Sequence, residues 1–361
     1  MSASLVSLLL NEADVLLELQ RSDGSLPGGR NGGYGDPETP ARCTSHAIVS
    51  WSYAYARTRN DRFMIAALAA LAYLFEVFEQ SSGCVVARNV EGKDQSNGVL
   101  GQAFVIEAFH SGWSIFGIER ARSFGLELIR RHSFNYHRGI WNCVGRSGEV
   151  LLPDLTFNHQ LYFAAVVAHF KSESSAVDKQ VTSFMRHWRQ NLAVRNDGRI
   201  VHEIPTGGLI RAVARRMLRR APSAGRKSKE LDYHLYNCYA FALLKDAGYE
   251  VEVSGHQFWR RITAFVESEA VANILNERNW LAEIRSGTET RVADYCYFRK
   301  IFGDPSKVDL GADLHTAARF LRCMIENGDA ISPDPVTQRA RAYRYWRLVS
   351  EVDREGVGLV A

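Results

Sequence analysis

Two aspartates are the first candidates for chemistry in this chain of 361 residues. Asp94 and Asp154 each precede a segment rich in small and aromatic residues, and they are 60 positions apart. Two carboxylates that face one cleft can divide the roles of general acid and general base. His159 follows Asp154 closely and is a third candidate for proton transfer, because the pKa of imidazole lies near neutral pH. We therefore predict that Asp94, Asp154 and His159 are catalytic.

Two of these residues, Asp94 and His159, also have a purely structural interpretation. Asp94 would serve equally well as a helix cap, since aspartate is among the preferred residues at a helix N-terminus. His159 would serve as a neutral histidine of the core, hydrogen-bonded to a neighbour. For proton abstraction from a sugar carbon, His46, His159 and His234 occupy comparable positions and form an alternative set.

More polar side chains crowd the starts of the same kind of segment. A helix needs only one capping side chain, so the excess indicates a binding surface. Aromatic, amide and arginine side chains suit stacking on a sugar ring and hydrogen bonding to its hydroxyl or carboxylate groups. Local ion pairs of Glu38 with Arg42 and of Arg291 with Asp294 are the structural alternatives. We predict these substrate-binding residues: Asp36, Glu38, Arg42, His46, Asn97, Gln102, Asn158, Tyr233, His234, Asn237, Trp280 and Arg291.

The segments that must position these residues are helical by their periodicity. An apolar stripe predicts an N-terminal helix, and a glycine-rich loop follows over residues 21–42. Buried helices with polar starts are predicted over 44–57, 97–110, 157–170, 233–245 and 290–302. Amphipathic helices are predicted over 61–79, 118–132, 176–191, 256–269 and 313–326. A last helix over 337–352 is expected to complete a sixth pair with the amphipathic helix before it.

The spacing of the buried helices predicts a helical-hairpin repeat. Six such pairs, with all-round apolar helices inside and amphipathic helices outside, favour an (α/α)6 toroid formed as a single domain over residues 1–361. An open α-solenoid is the alternative, although its repeats are usually shorter and more regular. Short β ribbons at the rim are predicted over 84–89, 139–144, 199–204 and 280–285.

Composition excludes several classes of protein. The chain is 46% hydrophobic and 23% charged, and no apolar run approaches the roughly 18 residues of a membrane span. A net charge of +4 is too balanced to indicate nucleic-acid binding. Six cysteines without a C-x-x-C pair predict reduced thiols, and no spacing demands a metal or a cofactor. The N-terminus lacks a basic stretch ahead of an apolar one, so we expect a cytoplasmic protein.

Positive charge is concentrated in a predicted insert at residues 206–230. Eight basic residues and no acidic residue lie between Arg211 and Lys229. Such a basic amphipathic segment suits a membrane surface, a lipid-linked glycan or a lid over an acidic glycan, and a solvated surface helix is the alternative.

Three stretches carry a resemblance to a known group. They read DGSLPGGRNGGYGDPETPARCTSH, DQSNGVLGQAFVIEA and DLTFNHQLYFAA. Over about residues 15–170 the chain resembles the AglQ-type proteins of bacterial and archaeal surface-glycan gene clusters. More distantly, its architecture is similar to the unsaturated glucuronyl hydrolases and the N-acylglucosamine 2-epimerases, both of which are (α/α)6 toroids that act on sugars.

The resemblance implies processing of a uronate-containing glycan. Asp94 and Asp154 are the counterparts, by repeat position, of the two aspartates on which unsaturated glucuronyl hydrolases rely. Of the histidines on which the epimerases rely, only His234 has a match. We therefore expect a glycoside hydrolase-like enzyme acting on an acidic oligosaccharide or polysaccharide. A histidine-dependent sugar epimerase or isomerase, and a non-catalytic glycan-binding subunit of a polysaccharide assembly complex, are the alternatives.

Overall fold

The computed structural model describes residues 4–31, 35–205, 224–251 and 257–349, without the side chains of residues 31 and 224–229. Residues 206–223 of the basic insert predicted at 206–230 lie outside the described residues, whereas residues 224–230 begin an inner helix. No helix of the described part is both long enough and apolar enough to cross a membrane. The six cysteines are all free thiols.

Helices form two concentric layers around one axis. The outer layer contains α1 (Leu5–Leu19), α3 (Asp61–Glu79), α5 (Glu119–Arg131), α7 (Ser175–Asn191), α9 (Gln257–Val266), α10 (Glu269–Leu275), α11 (Trp280–Ser286) and α13 (Leu310–Ile331). The inner layer contains α2 (Ala41–Thr58), α4 (Gly98–Phe116), α6 (Phe157–Val167), α8 (Ala224–Asp246), α12 (Arg291–Phe302), α14 (Pro335–Ala340) and α15 (Tyr343–Val349).

The inner helices close into a ring. Each contacts the next in the order α2, α4, α6, α8, α12 and α15, and α15 contacts α2 again. This closed order confirms the predicted (α/α)6 toroid. The N-terminal helix α1 contacts α13, α2 and α3, so it is the sixth outer helix. The sequence analysis had instead paired the last helix with the amphipathic helix before it.

Burial follows the predicted difference between the two layers. The first fourteen residues of α2, from Ala41 to Ala54, are all buried, as are ten of the eleven residues of α6. Outer helices such as α5 and α7 bury one stripe of side chains and leave the charged side in water. The apolar core therefore lies between the layers and extends to the axis of the ring.

A small antiparallel sheet lies at the rim. It contains β3 (Phe134–Asn135), β4 (Ile140–Val144) and β5 (Val150–Pro153) in that order, and a second pair is formed by β1 (Arg30–Asn31) and β2 (Asp36–Pro37). The ribbon predicted over 139–144 is thus confirmed. Residues 84–89 and 199–204 form only isolated bridges. The ribbon predicted over 280–285 is wrong, because Trp280 and Ile284 are buried four residues apart on helix α11.

Four arginines on the last inner helices and the short link between them hold the ring closed. Each makes an ion pair with a buried carboxylate on a different part of the chain: Arg339 with Glu12, Arg341 with Glu289, Arg344 with Asp294, and Arg347 with Glu107. All four carboxylate side chains are at most 2% exposed. Burial of an unpaired charge is expensive, so these partners fix where α14 and α15 can lie.

The axis of the toroid is filled by a continuation of this network. Glu107 accepts hydrogen bonds from the hydroxyl groups of Tyr162 at 2.7 Å and Tyr343 at 3.2 Å, besides its pair with Arg347. The Arg344 guanidinium lies over the rings of Tyr162, Tyr236, Tyr239 and Tyr343. The inner ring therefore has a solid, polar-aromatic centre.

We predict that Arg344→Met lowers the free energy of unfolding by about 3 to 5 kcal/mol, because it leaves the buried Asp294 carboxylate without its bidentate partner. The matched control is Arg319→Met, whose half-exposed guanidinium pairs with Glu277 on the outer surface. That change should cost less than about 1 kcal/mol. Denaturant unfolding measures both values, and equal losses would contradict a special role for the buried pair.

Candidate active site at the mouth of the toroid

The inner helices begin at one end of the ring, which we call the mouth. Asp94 and Asp154 meet there at the N-terminus of α4. The Gly98 amide donates to Asp94 Oδ2 at 2.6 Å, and the next amide, that of Val99, donates to Asp154 Oδ2 at 3.1 Å. Because adjacent backbone nitrogens are separated by one residue, the two carboxylate oxygens lie within about 9 Å of each other. The structure thus brings together the two aspartates that the sequence analysis singled out.

The two aspartates make the same local turn. The amide two residues later donates to Oδ1 of each, that of Ser96 to Asp94 at 2.9 Å and that of Thr156 to Asp154 at 3.0 Å. Gln102 and Gln160 also match, since each side-chain amide bonds both backbone groups of one loop residue and a carbonyl six residues earlier. The glutamines are 58 residues apart and the aspartates 60, so the first loop is two residues longer between these points.

Asp154 and His159 form a hydrogen-bonded pair. His159 Nδ1 lies 2.8 Å from Asp154 Oδ2, and the Thr156 amide donates to Asp154 Oδ1 at 3.0 Å. Burial by itself would raise the pKa of Asp154, but the charge of His159 and the hydrogen bonds from His159 and Thr156 outweigh it and lower that pKa to about 2. An ionised carboxylate only accepts hydrogen bonds, so His159 Nδ1 is the donor in this pair and Nε2 is the ring nitrogen left to exchange a proton with a substrate.

His159 is the more accessible member of this pair. Its side chain is 18% exposed, against 6% for Asp154. A carboxylate that orients an imidazole in this way defines its tautomer and stabilises the protonated ring. The pair can therefore move a proton at Nε2 of His159, while Asp154 positions the ring.

Asp94 is exposed, and its carboxylate stabilises the turn before α4 through hydrogen bonds. Its Oδ1 accepts from the amide and the hydroxyl of Ser96 at 2.9 and 2.6 Å, while its Oδ2 accepts from Gly98. These contacts fulfil the capping interpretation. They also fix a carboxylate next to the Asp154 and His159 pair, at the positive end of the α4 dipole.

Asn97 and its neighbours form a charged edge of the mouth. Asn97 has left-handed backbone angles, with φ of 56°, and its side-chain oxygen accepts from Arg88 Nη2 at 2.7 Å. Asp36 accepts from Lys93 at 2.8 Å and lies 4.0 Å from Arg88. The sequence analysis missed Arg88, because nothing in the local pattern at residues 84–89 distinguished it from an ordinary surface arginine.

Two aromatic rings stack beside His159. The rings of His202 and Tyr233 are 4.3 Å apart and nearly parallel, and the His202 ring lies 6.3 Å from that of His159. The predicted binding residue Tyr233 is thus at the mouth. His202, which the sequence analysis did not select, comes into the site through the isolated bridge between Thr156 and Glu203.

Two predicted binding residues lie deeper and have unpartnered polar atoms. His46 stacks on Tyr343 and meets the edge of Phe104, and burial lowers its pKa well below the usual value. Among the described residues, His46 Nδ1 and Asn158 Oδ1 have no hydrogen-bond partner. Such atoms are the kind that bind a water or a substrate hydroxyl.

Three predicted binding residues are occupied by structural contacts. Arg42 forms a buried ion pair with Glu38, with Nε to Oε2 at 2.8 Å and Nη1 to Oε1 at 2.9 Å. Gln102 is fully buried, and its amide serves Val85 and Ser96. The polar groups of Arg42, Glu38 and Gln102 are therefore used in contacts within the protein. The prediction that these three residues bind a substrate is corrected.

Trp280, His234 and Asn237 do not line the mouth. Trp280 meets Phe320 at 5.4 Å and His234 meets Phe265 at 4.7 Å, and both phenylalanines belong to outer helices. Burial lowers the pKa of His234 to about 3. Asn237 is fully buried and lies three residues after His234, on the same face of α8. His234 and Asn237 turn into the space between the two layers, because this face of the inner helix packs outward. Trp280 belongs to the outer helix α11 and packs against the outer helix α13.

Arg291 is buried in an ion-pair cluster. It bonds Glu283 at 2.7 Å and Asp232, whereas Asp294, its proposed local partner, pairs with Arg344 instead. Burial lowers the pKa of Arg291 to about 10. The predicted pair of Arg291 with Asp294 is wrong, because the turn of α12 directs the two side chains to different neighbours.

Within the described part of the chain, no three histidine, cysteine, aspartate or glutamate side chains are placed to hold one metal ion together.

Comparison with known proteins identifies a relative. Archaeal glycosylation protein Q of Haloferax volcanii is 34% identical to the chain over an alignment of 277 positions, which covers 71% of this chain and 73% of that protein. The chain belongs to the family of this glycosylation protein. The resemblance drawn from the three sequence stretches is thereby confirmed. No family model matches the chain.

Solved structures agree with the fold. Cellobiose 2-epimerase from Spirochaeta thermophila has a TM-score of 0.59 at 13% identity, over 96% of each chain. Unsaturated glucuronyl hydrolase from Bacillus sp. GL1 has a TM-score of 0.58 at 12% identity, over 96% of this chain and 95% of that one. At such low identity these likenesses establish the toroid, and the reaction has to be argued from the side chains of this chain.

The lowered pKa of Asp154 predicts a pH-dependent contribution to stability. The folded state holds the carboxylate ionised down to about pH 2, whereas the ordinary pKa is 3.8. The contribution, about 2 to 3 kcal/mol, is therefore present above pH 4 and is lost as the pH falls towards 2. Unfolding of the wild type and Asp154→Asn at several pH values measures it. A stability difference that stays constant down to pH 2 would refute this account.

Gly98 keeps the space for this carboxylate. A Cβ at Gly98 would lie 1.9 Å from Asp154 Oδ2, and its φ is +61°. We predict that Gly98→Ala displaces Asp154 and costs at least about 1 kcal/mol more than left-handed backbone strain alone. Gly117→Ala is the matched control, because Gly117 has φ of +67° and open space around it. Equal losses of unfolding free energy in the two variants would contradict the steric role.

Proposed function

We propose that this protein is a carbohydrate-active enzyme of surface-glycan biosynthesis or processing, and that it acts on an acidic, uronate-containing oligosaccharide or polysaccharide. The Asp154 and His159 hydrogen bond at the mouth carries the proposal, since it couples an ionised buried carboxylate to a partly exposed imidazole. The family relationship to a glycosylation protein supports a saccharide substrate.

The favoured reaction is cleavage of a glycosidic bond. Asp154 is ionised at neutral pH, so it cannot be the proton donor of this reaction. His159 is the donor to the leaving oxygen in our assignment, and Asp154 positions it. Asp94 supplies the second carboxylate: it takes a proton from a water molecule whose oxygen bonds to the anomeric carbon as the glycosidic bond breaks.

An acidic substrate is supported by the cations at the edge of the mouth. The Arg88 and Lys93 side chains lie close to Asp36, and Lys93 is 46% exposed. A guanidinium and an ammonium at this edge suit a sugar carboxylate. The stacked rings of His202 and Tyr233 offer a flat apolar face to a sugar ring.

Epimerisation or isomerisation of a sugar is the second candidate. Its support is the second imidazole, because the rings of His159 and His202 lie 6.3 Å apart across the mouth. Two such groups can remove a carbon-bound proton from one face of a sugar and return a proton to the other face.

We predict that His159→Gln and Asp94→Asn each lower turnover by at least about 100-fold, as expected for loss of a group that acts in proton transfer. The assay uses a panel of glucuronate-, galacturonate- and mannuronate-containing oligosaccharides in D₂O. New reducing ends identify cleavage, and deuterium bound to a sugar carbon without cleavage identifies the epimerase.

Two control variants match these changes. Asp304→Asn removes the same turn contacts to Ser306 that Asp94 makes to Ser96, but at a distant loop between α12 and α13. His187→Gln removes a histidine whose Nδ1 bonds a helix carbonyl on the outer helix α7. Both controls should keep wild-type turnover. Full activity of His159→Gln would overturn its assignment as the proton-transfer group.

A further inference from the structure

Arg341 combines a structural ion pair with an unused edge of its guanidinium group. It lies in the link between α14 and α15, where Nη1 donates to Glu289 Oε1 at 3.1 Å and to the Gly287 carbonyl at 3.4 Å. Among the described residues, Nε and Nη2 of Arg341 have no hydrogen-bond partner. The side chain is 20% exposed, which leaves these two nitrogens open to a ligand.

The free edge has the shape that binds a carboxylate. Nε and Nη2 of a guanidinium lie side by side in one plane, so together they can donate two parallel hydrogen bonds to the two oxygens of one carboxylate. Arg42, at the start of α2, differs in this respect. Its three nitrogens bond both oxygens of Glu38 and the carbonyl of Arg30, so it has no such edge to offer.

Arg341 lies close to His46, deep in the mouth. Helix α15 begins two residues later with Tyr343, whose ring stacks on that of His46 at 4.7 Å. Burial and three positive charges lower the pKa of His46 well below its usual value, so its imidazole is neutral at neutral pH. Those charges belong to Arg42, Arg341 and Arg344. The net field at this point is therefore positive, which favours an anionic ligand.

We propose that Arg341 binds the carboxylate of a uronate unit in the mouth and so determines the specificity of the enzyme for acidic glycans. The uronate is the substrate class of the proposed function, on which this role rests. The ion pair with Glu289 holds the guanidinium in place, so little side-chain freedom is lost when the sugar binds. Arg88 and Lys93 at the edge attract the glycan, whereas Arg341 recognises its carboxylate through two directed hydrogen bonds.

Binding of small glycosides to the full chain tests this role without any assumption about the reaction. The probes are methyl glucuronide and methyl glucoside, which differ only in a carboxylate and a hydroxymethyl group. Ligand-observed NMR titration gives their dissociation constants. We expect the wild type to bind the glucuronide at least about ten-fold more tightly than the glucoside. Arg341→Lys should reduce that preference to about two-fold, because lysine keeps a charge opposite Glu289 but lacks the planar fork.

The matched control is Arg339→Lys. Arg339 lies two residues earlier, and its three nitrogens bond Glu12 and Asp329, which leaves no free edge. This variant should keep the wild-type preference, and thermal unfolding shows whether both variants are folded. Equal loss of the preference in the two variants, or an unchanged preference in Arg341→Lys, would overturn the role of Arg341. A loss found in Lys93→Met instead would also overturn it and would place the carboxylate at the edge of the mouth.

Failure of this carboxylate site and failure of the proposed function give different results. A preference for the glucuronide that Arg341→Lys removes, together with no turnover of any oligosaccharide by the wild type, would support the site and contradict the reaction. Cleavage of acidic oligosaccharides with a kcat/KM that Arg341→Lys leaves unchanged would support the reaction and overturn the site. Tighter binding of a glucose phosphate than of the glucuronide would overturn the choice of a carboxylate as the ligand.

Discussion

Closure of the inner ring depends on buried ion pairs between the last helices and the rest of the chain. The four arginines of α14, α15 and the link between them have partners in α1, in α4, in α12 and just before α12. A shift of one residue along these helices would move every arginine away from its carboxylate and leave several charges buried and unpaired. The pairs thus select one closed arrangement, where apolar packing alone would accept several.

The mouth depends on the same closure. With the ring fixed, the start of α4 faces the loop before α6, and the two adjacent amides of Gly98 and Val99 meet Asp94 and Asp154. Gln102 and Gln160 then hold the two loops through paired backbone hydrogen bonds. A rigid scaffold therefore positions a proton-transfer pair on loops, which is the usual way in which one fold serves different reactions.

The sequence predicted which residues lie at the mouth better than it predicted the role of each one. Polar clusters at the starts of inner helices did lead to Asp94, Asp154, His159 and Tyr233. The same signal also selected His234, which packs between the layers, whereas Trp280 came from a predicted ribbon that is the outer helix α11. An inner helix is apolar all round, so its sequence does not show which side turns to the axis and which turns outward. His202 and Arg88 have no local signal, since they reach the site through single bridges from distant loops.

The sequence by itself determined the helical repeat, the layer to which most of the helices belong and the family. It did so because apolar periodicity and turn residues are local properties that survive without the rest of the chain. Only the tertiary structure decided that α1 completes the outer layer and that Asp154 is ionised and hydrogen-bonded to His159. It also decided that residues 339–347, RARAYRYWR, close the ring through buried ion pairs. Each of these depends on contacts between residues far apart in the chain, and it is burial at those contacts that makes a pairing favourable or costly.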